Sequence, residues 1–375
     1  YNGTAKISSQ ITDWLKFNYT MRFTRQDYKR PATLTSSLYS DMARQGWPVL
    51  PLYDPNGYFY DAPSPVLGLA EGGVDKTQTD NSYHQIGLIF EPIKNWITHV
   101  DFNYHIKSAN RHWDSQMRYN HDVNGNPYVY SNSSNVHEDY YKENYYNFNA
   151  YTEYTYNLND AHNFHVMGGF QAENLKQTQF GLQRNGIMFS GKPEVDLTTG
   201  LDYWGNAVTP STNGSRNEWA TAGFFARINY DYQGKYLIEA NVRADGTSRF
   251  RTGNQWKTFP SVSAGWNIAR ESFFEPINDL IGTLKIRASY GSLGNQNTTN
   301  WYQTFQTMTV GSSDGSWLMN GVKPNTATAP GLVSTTLTWE TIESYNIGLD
   351  WGLLNNRLTG SFDYYIRNTK DMVGN

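Results

Sequence analysis

The sequence predicts an all-β fold, an antiparallel transmembrane β-barrel to which this chain contributes about twelve strands. One ground is the stretch WATAGFFARINYDYQGKYLIEANVRAD at 219–245. Ala220, Ala222, Phe224, Ala226, Ile228, Tyr230 and Tyr232 occupy every second position, and the positions between include Arg227 and Asp231. After Gln233-Gly234 the pattern resumes with Tyr236, Ile238, Ala240, Val242 and Ala244. A chain only 38% hydrophobic does not hold a strict period of two that long unless one face is buried and the other is wet. A second ground is length, because the segment 217–232 far exceeds the five or six residues of a globular strand. The third is that short and long connections alternate strictly, which trims one end of an antiparallel sheet and elaborates the other.

The strands follow in order. The opening YNGTAKISSQI already lies inside a strand, and 15–23 sets Leu15, Phe17, Tyr19, Met21 and Phe23 against Lys16, Asn18, Thr20 and Arg22. Residues 96–104 set Trp96, Thr98, Val100, Phe102 and Tyr104 against His99, Asp101 and Asn103, and Phe164, Val166, Gly168, Phe170 and Ala172 oppose His165, Gln171 and Glu173. The ribbon above comes next, then Val262, Ala264, Trp266 and Ile268, then Leu284, Ile286, Ala288 and Tyr290. The last two carry Tyr345, Ile347, Leu349 and Trp351, and Leu358, Phe362, Tyr364 and Ile366. Short connections fall at 12–13, 92–95, 157–161, 233–234 and 353–356, with a medium one at 270–281. Long ones lie near 25–82, 107–144, 174–216 and 292–337, with a shorter member at 246–256. Unpaired edge amides in lipid cost several kcal/mol each, so such a sheet must close, and this one forms an arc of a larger cylinder.

Bulk composition agrees. The net charge is −4, with Lys plus Arg 30 against Asp plus Glu 34, which gives no reason to expect a nucleic-acid partner. Cysteine is absent, so disulfides and thiolate metal sites are excluded. A mean hydropathy of −0.66 is compatible with a barrel, where lipid-facing and lumenal residues average out. Trp14, Trp96, Tyr230, Tyr232, Tyr236 and Trp351 sit beside short turns, as a membrane-interface belt in contact with outer-membrane lipid requires.

Four stretches carry a family resemblance: YLIEANVRADGTSRF (236–250), WKTFPSVSAGWNIARESFF (256–274), LKIRASYGSLGNQ (284–296) and LTWETIESYNIGLDWGLLNNRLTGSFDYYIRNTKDM (337–372). With WPVLPLYDPNGYFYD (47–61), they resemble the barrel of SusC/RagA-type TonB-dependent outer-membrane transporters. The resemblance implies a plugged barrel of about 22 strands. It implies active import of a nutrient too large for porins, an oligosaccharide or glycan fragment first and a peptide second. It also implies a SusD-like surface lipoprotein as lid, energy from the TonB-ExbB-ExbD system, and a dimer of SusC–SusD pairs in a Gram-negative outer membrane. All of 1–375 is then the central part of one barrel domain, with plug, signal peptide and C-terminal strands outside it.

On this view the functional residues are aromatic rather than catalytic. Trp47, Tyr53, Tyr58, Tyr60, Trp113, Tyr119, Trp204, Trp301 and Trp317 fall in connections on the elaborated side. There, flat rings beside Asn, Asp and Arg suit stacking on substrate. Arg243, Asp245 and Arg249 belong to the charged face and are expected to brace the wall against the plug. No arrangement supports catalysis: HEDYYKE (137–143) is expected as a solvated charge run in a long loop, and Glu340 and Glu343 flank a strand start without forming an acid/base pair. DVNGNP (122–127) lacks the glycine and glutamate of a calcium loop and predicts a turn. The histidines show no zinc spacing, and no cofactor is implied. A passive porin and a soluble glycan-binding β module share the alternation and remain the rival readings.

Overall fold

The computed structural model describes residues 1–45, 51–60, 65–298, 300–311, 317–334 and 336–372. The chain runs through β1 (Asn2–Thr12), β2 (Leu15–Pro31), β3 (Val74–Ile93), β4 (Trp96–Ser115), a small hairpin of β5 (Arg118–His121) and β6 (Pro127–Ser131), then β7 (Asn135–Leu158) and β8 (His162–Asn185). It continues through β9 (Ser211–Tyr232), β10 (Tyr236–Thr247), β11 (Trp256–Asn267) and β12 (Ile281–Asn295). A two-residue pair, β13 (Val310–Gly311) with β14 (Thr326–Ala327), precedes β15 (Glu340–Leu353) and β16 (Leu358–Lys370). Twelve of these form one antiparallel sheet in chain order, β1-β2-β3-β4-β7-β8-β9-β10-β11-β12-β15-β16, as the sequence predicts.

Register turns the alternation of single strands into two continuous surfaces. Across the sheet, Tyr19, Ile86, Phe102, Phe148, Ala172, Ala222, Gly246 and Trp256 stand side by side. One residue along, on the opposite face, stand Thr20, Gln85, Asn103, Asn147, Glu173, Thr221 and Thr247. A slip of one residue in any pair would merge the two rows, so burial of the apolar face fixes the register. No second layer of the described chain covers that face: Ile238 is 49% exposed and Ile347 62%, and Ala226 is exposed as well. Buried hydrophobics are few. The one core cluster among the described residues is Phe250, Phe259 and Trp339, at the elaborated end.

The short connections are tight because their residues accept a left-handed backbone. Asn159 and Asp160 have φ of 54° and 53°, and Gln233 and Gly234 have 51° and 66°. Two consecutive positive values match the twist of the flanking strands.

At the other end the strands run on where the sequence pattern stops. β3, β4, β7 and β8 are 20, 20, 24 and 24 residues long, against the 9–11 residues that cross a bilayer. The long connections therefore shrink to 32–73, 116–134, 186–210 and 296–339. Two expectations change with them. The HEDYYKE run lies in β7 rather than a loop, and Trp113 lies in β4 rather than a connection. Backbone pairing continues above the apolar belt, but the residues there are mostly polar on both faces, so no alternation marks it. Salt bridges knit this extension together: Arg25 to Asp80 at 2.6 Å, and Asp75 to both Arg30 (3.0 Å) and Arg111 (2.9 Å).

Candidate functional site

The residues expected as an aromatic belt all lie at the short-turn end, on or beside the apolar face. Trp14 stacks on Phe90 at 6.4 Å, and Trp96 donates its indole N–H to Thr152 Oγ1 at 2.7 Å. Tyr230 shares a hydrogen bond with His162 Nδ1 at 2.8 Å, and Tyr232 lies 6.2 Å from Tyr236. Trp351 covers the bare backbone of its cross-strand partner Gly360. The buried carboxylate of Glu271 anchors three neighbours at once, accepting from Tyr236 Oη (2.7 Å), Trp266 Nε1 (3.0 Å) and Lys235 Nζ (3.3 Å). An amphipathic ring is stable where one edge meets hydrocarbon and the other a polar partner. Sequence reasoning missed Glu271, which sits in the connection after β11, and Tyr154 and Tyr156 beside the turn at 159–161.

The polar face is braced by ion pairs. Arg243 donates to both oxygens of Asp245 (2.7 and 2.8 Å) and reaches Gln171 Oε1 at 3.1 Å. Arg287 grips Asp350 and Asp363 across three strands. The third predicted member of the set, Arg249, does not join them. It lies past the end of β10, 8% exposed, with its guanidinium 5.2 Å over the ring of Trp219.

The described loop aromatics lie in several separate places. Trp113 lies on the polar face of β4, stacked on His137 at 3.5 Å with Arg111 over its ring. Burial pushes the His137 imidazole below its ordinary value. Tyr53, Tyr58, Tyr60 and Tyr119 belong to two hairpin tips that dock on each other. Tyr58 stacks on His121 at 3.8 Å, and Asn56 Nδ2 donates to the Asp122 carbonyl at 2.9 Å. These tips share one design, repeated a third time at 202–206. An aspartate (Asp54, Asp122, Asp202) accepts two backbone N–H groups, and a glycine with positive φ completes the turn (Gly57, Gly125, Gly205). DVNGNP is thus the turn the sequence predicts. Trp204 stands at the third tip, 71% exposed and edge-on to Tyr203, and Trp317 is 53% exposed. Trp47 lies outside the described residues.

Trp301 lines a cavity of about 780 Å³ between the 296–339 connection and the polar face of β8 and β9. Gln177 and Asn217 come from the wall, and Asn300, Tyr302, Gln303 and Leu332 from the connection. The connection is pinned there. Arg251 donates twice to the Thr304 carbonyl (2.9 and 2.8 Å), Tyr302 Oη accepts the Glu218 N–H at 2.8 Å, and Trp339 Nε1 reaches the Gln255 carbonyl at 2.8 Å. No charged residue lines the cavity among the described residues. Its volume falls in the range of small-molecule sites, with apolar rings and a few amides fixing orientation. Of its lining only Trp301 was singled out from the sequence: Gln177 falls beyond the alternation read for β8, and Asn217 opens the strand read at 217–232 with nothing in residue type to mark it as part of a site.

His112, Glu138 and Glu194 each bring one ligand atom within 4.8 Å of the others, on the apolar-face side above the belt. They come from three separate segments, so no sequence spacing reveals them.

The chain matches the family described as TonB dependent receptor-like, beta-barrel over residues 12–375. It is 33% identical over 223 residues to TonB-dependent receptor P3 of Formosa agariphila (58% of this chain, 21% of that one), and 30% identical over 296 residues to receptor P39 of the same organism (78% and 26%). With TonB-dependent receptor SusC of Bacteroides thetaiotaomicron it shares 26% identity over 389 residues, 97% of this chain and 37% of that one. The chain therefore spans 21 to 37% of the length of these curated relatives. Among solved structures, the RagAB peptide transporter superposes with a TM-score of 0.77 at 19% identity, over 99% of this chain and 40% of its own. Its closed-closed state gives 0.78 at 21% identity, over 99% and 40%. The chain belongs to the TonB-dependent receptor-like β-barrel family, its wall is of the SusC/RagA type, and its apolar face is the one covered by the outer membrane of a Gram-negative bacterium.

Proposed function

We propose that the whole protein imports an oligosaccharide or glycan fragment across the outer membrane. On this reading TonB-ExbB-ExbD supplies the energy, a SusD-like lipoprotein closes the extracellular mouth, and two such pairs associate as a dimer. The observation that carries the substrate class is the cavity of about 780 Å³, where Trp301 and Tyr302 stand among Gln177, Asn217, Asn300 and Gln303 with no charged side chain in the lining. A pyranose presents an apolar C–H face to a ring and hydroxyls that both donate and accept; side-chain amides answer both roles. Elsewhere in the long connections, the exposed Tyr203–Trp204 tip and Trp317 offer further rings to a ligand or a lid. Arg243, Asp245 and the Arg287 pairs stiffen the lumenal wall that faces a plug. No bond is made or broken in this account; uptake needs only binding, displacement and release.

The test is calorimetry on the full-length detergent-solubilised protein, with neutral oligosaccharides and peptides of matched length. Glycan binding that weakens about tenfold or more in Trp301→Ala, at an unchanged melting temperature, is the expected result. Binding of peptides alone would transfer the protein to peptide import. A large steady conductance in planar bilayers without TonB would make it a porin.

A further inference from the structure

Arg249 is buried to 8% exposure, and its Nε has no acceptor among the described residues. Other arginines at this end are completed: Arg251 by the Thr304 carbonyl, Arg111 and Arg30 by Asp75. Two acids near it in sequence or beside Trp219 are already engaged. Asp245 is held by Arg243 at 2.7 Å, and Glu218, on the opposite face of β9, pairs with Lys176 at 3.3 Å. Burial with nothing to offset it depresses the Arg249 guanidinium below its ordinary value. An uncompensated buried cation is costly, so a fold that keeps one has an anion to complete it.

Arg249 and Trp219 do not themselves line the cavity that holds Trp301, but neighbours of each do. Trp219, whose ring lies 5.2 Å beneath the guanidinium, follows Asn217 on the same face of β9. That is one two-residue step of about 7 Å, and Asn217 lines the cavity that holds Trp301. The connection pinned at Thr304 also touches Arg249, since Thr304 Oγ1 donates to the Arg249 carbonyl at 3.4 Å. A guanidinium resting its face on an indole keeps its N–H edge for a carboxylate or sulfate, which it binds in a two-point fork. We propose that Arg249, backed by Trp219, is a specificity residue for an acidic substituent, carboxylate or sulfate, on a glycan bound in the adjoining cavity. This rests on the glycan reading above and narrows it to anionic oligosaccharides.

The experiment uses the full-length protein in detergent and a panel of uronate and sulfated tetrasaccharides. Each is titrated by calorimetry against its methyl-esterified or desulfated counterpart. At least one acid should bind tenfold or more tighter than its neutral match, with the ratio falling as salt rises. Arg249→Gln should bring the ratio close to one, and Arg249→Lys, which keeps the charge without the fork, should leave an intermediate value. Acid and neutral forms binding alike, or a preference that survives Arg249→Gln, would overturn the proposal. So would a ligand-free melting temperature several degrees lower in Arg249→Gln with the preference intact, which would give the missing anion to another segment of the protein. If neutral and acidic glycans all fail to bind the folded wild type, the glycan reading itself falls; if neutral glycans bind and no acid is preferred, only Arg249's role does.

Discussion

Replacing Ala226 with arginine places a cation on the apolar face near the middle of the membrane-crossing part of β9. Ala226 stands between Gly168 of β8 and Val242 of β10, with Ile228 and Phe224 as neighbours on the same face. Six residues toward the short turn lies the belt residue Tyr232, and six residues the other way the apolar series ends at Ala220, just before Glu218. The site is therefore close to the midplane, where an arginine facing lipid costs about 2–4 kcal/mol. The adjacent Arg227 faces the other way, donating Nε to Asn241 Oδ1 at 2.6 Å on the polar surface. Its removal forfeits one solvent-accessible hydrogen bond, about 1 kcal/mol. Urea unfolding of the full-length protein refolded into lipid vesicles should thus show Ala226→Arg destabilised by roughly 2–4 kcal/mol and Arg227→Ala by about 1 kcal/mol or less. The amount of each variant recovered folded from outer membranes should follow the same order. Equal losses, or a larger loss for Arg227→Ala, would refute the assignment of faces.

Other expectations follow from single contacts. A Cβ at Gly169 would lie 2.5 Å from Tyr151 Cβ and 2.7 Å from the Ala150 carbonyl, neither of which can swing away. Gly169→Val should therefore cost about 1–3 kcal/mol by overpacking, while Gly191→Val, with nothing within 4 Å, should leave urea midpoints unchanged. Arg111 first, and then Arg30, hold the Asp75 carboxyl below the usual carboxylate range. Because the folded value is the lower one, the stability gap between wild type and Asp75→Asn should be full above about pH 4, the unfolded value, and vanish as pH falls through the depressed one. A gap that grows on acidification in pH-resolved unfolding would contradict this. Glu271→Gln should lower the melting temperature and disturb Tyr236 and Trp266 fluorescence together, since one carboxylate holds both rings; independent responses would separate them.

The sequence alone determined which residues meet lipid and where the chain turns back. Ala226, Ile238 and Ile347 face out because period two is imposed by two solvents, hydrocarbon on one side of the sheet and water on the other. The tight turns were equally legible, since Gln233-Gly234 and Asn159-Asp160 tolerate a left-handed backbone. Only the tertiary structure decided how far the strands extend, because above the apolar belt both faces carry mostly polar residues and backbone pairing leaves no trace in residue type. That is why Trp113 and the HEDYYKE run proved to be strand. It also decided which loop aromatics share a site: Trp301 meets Gln177 and Asn217, more than eighty positions away, through a connection pinned at Thr304, whereas Tyr58 is engaged by a neighbouring hairpin. The isolation of Arg249 belongs to the same class, because whether a charge finds a partner depends on which segments the fold brings within a few ångströms.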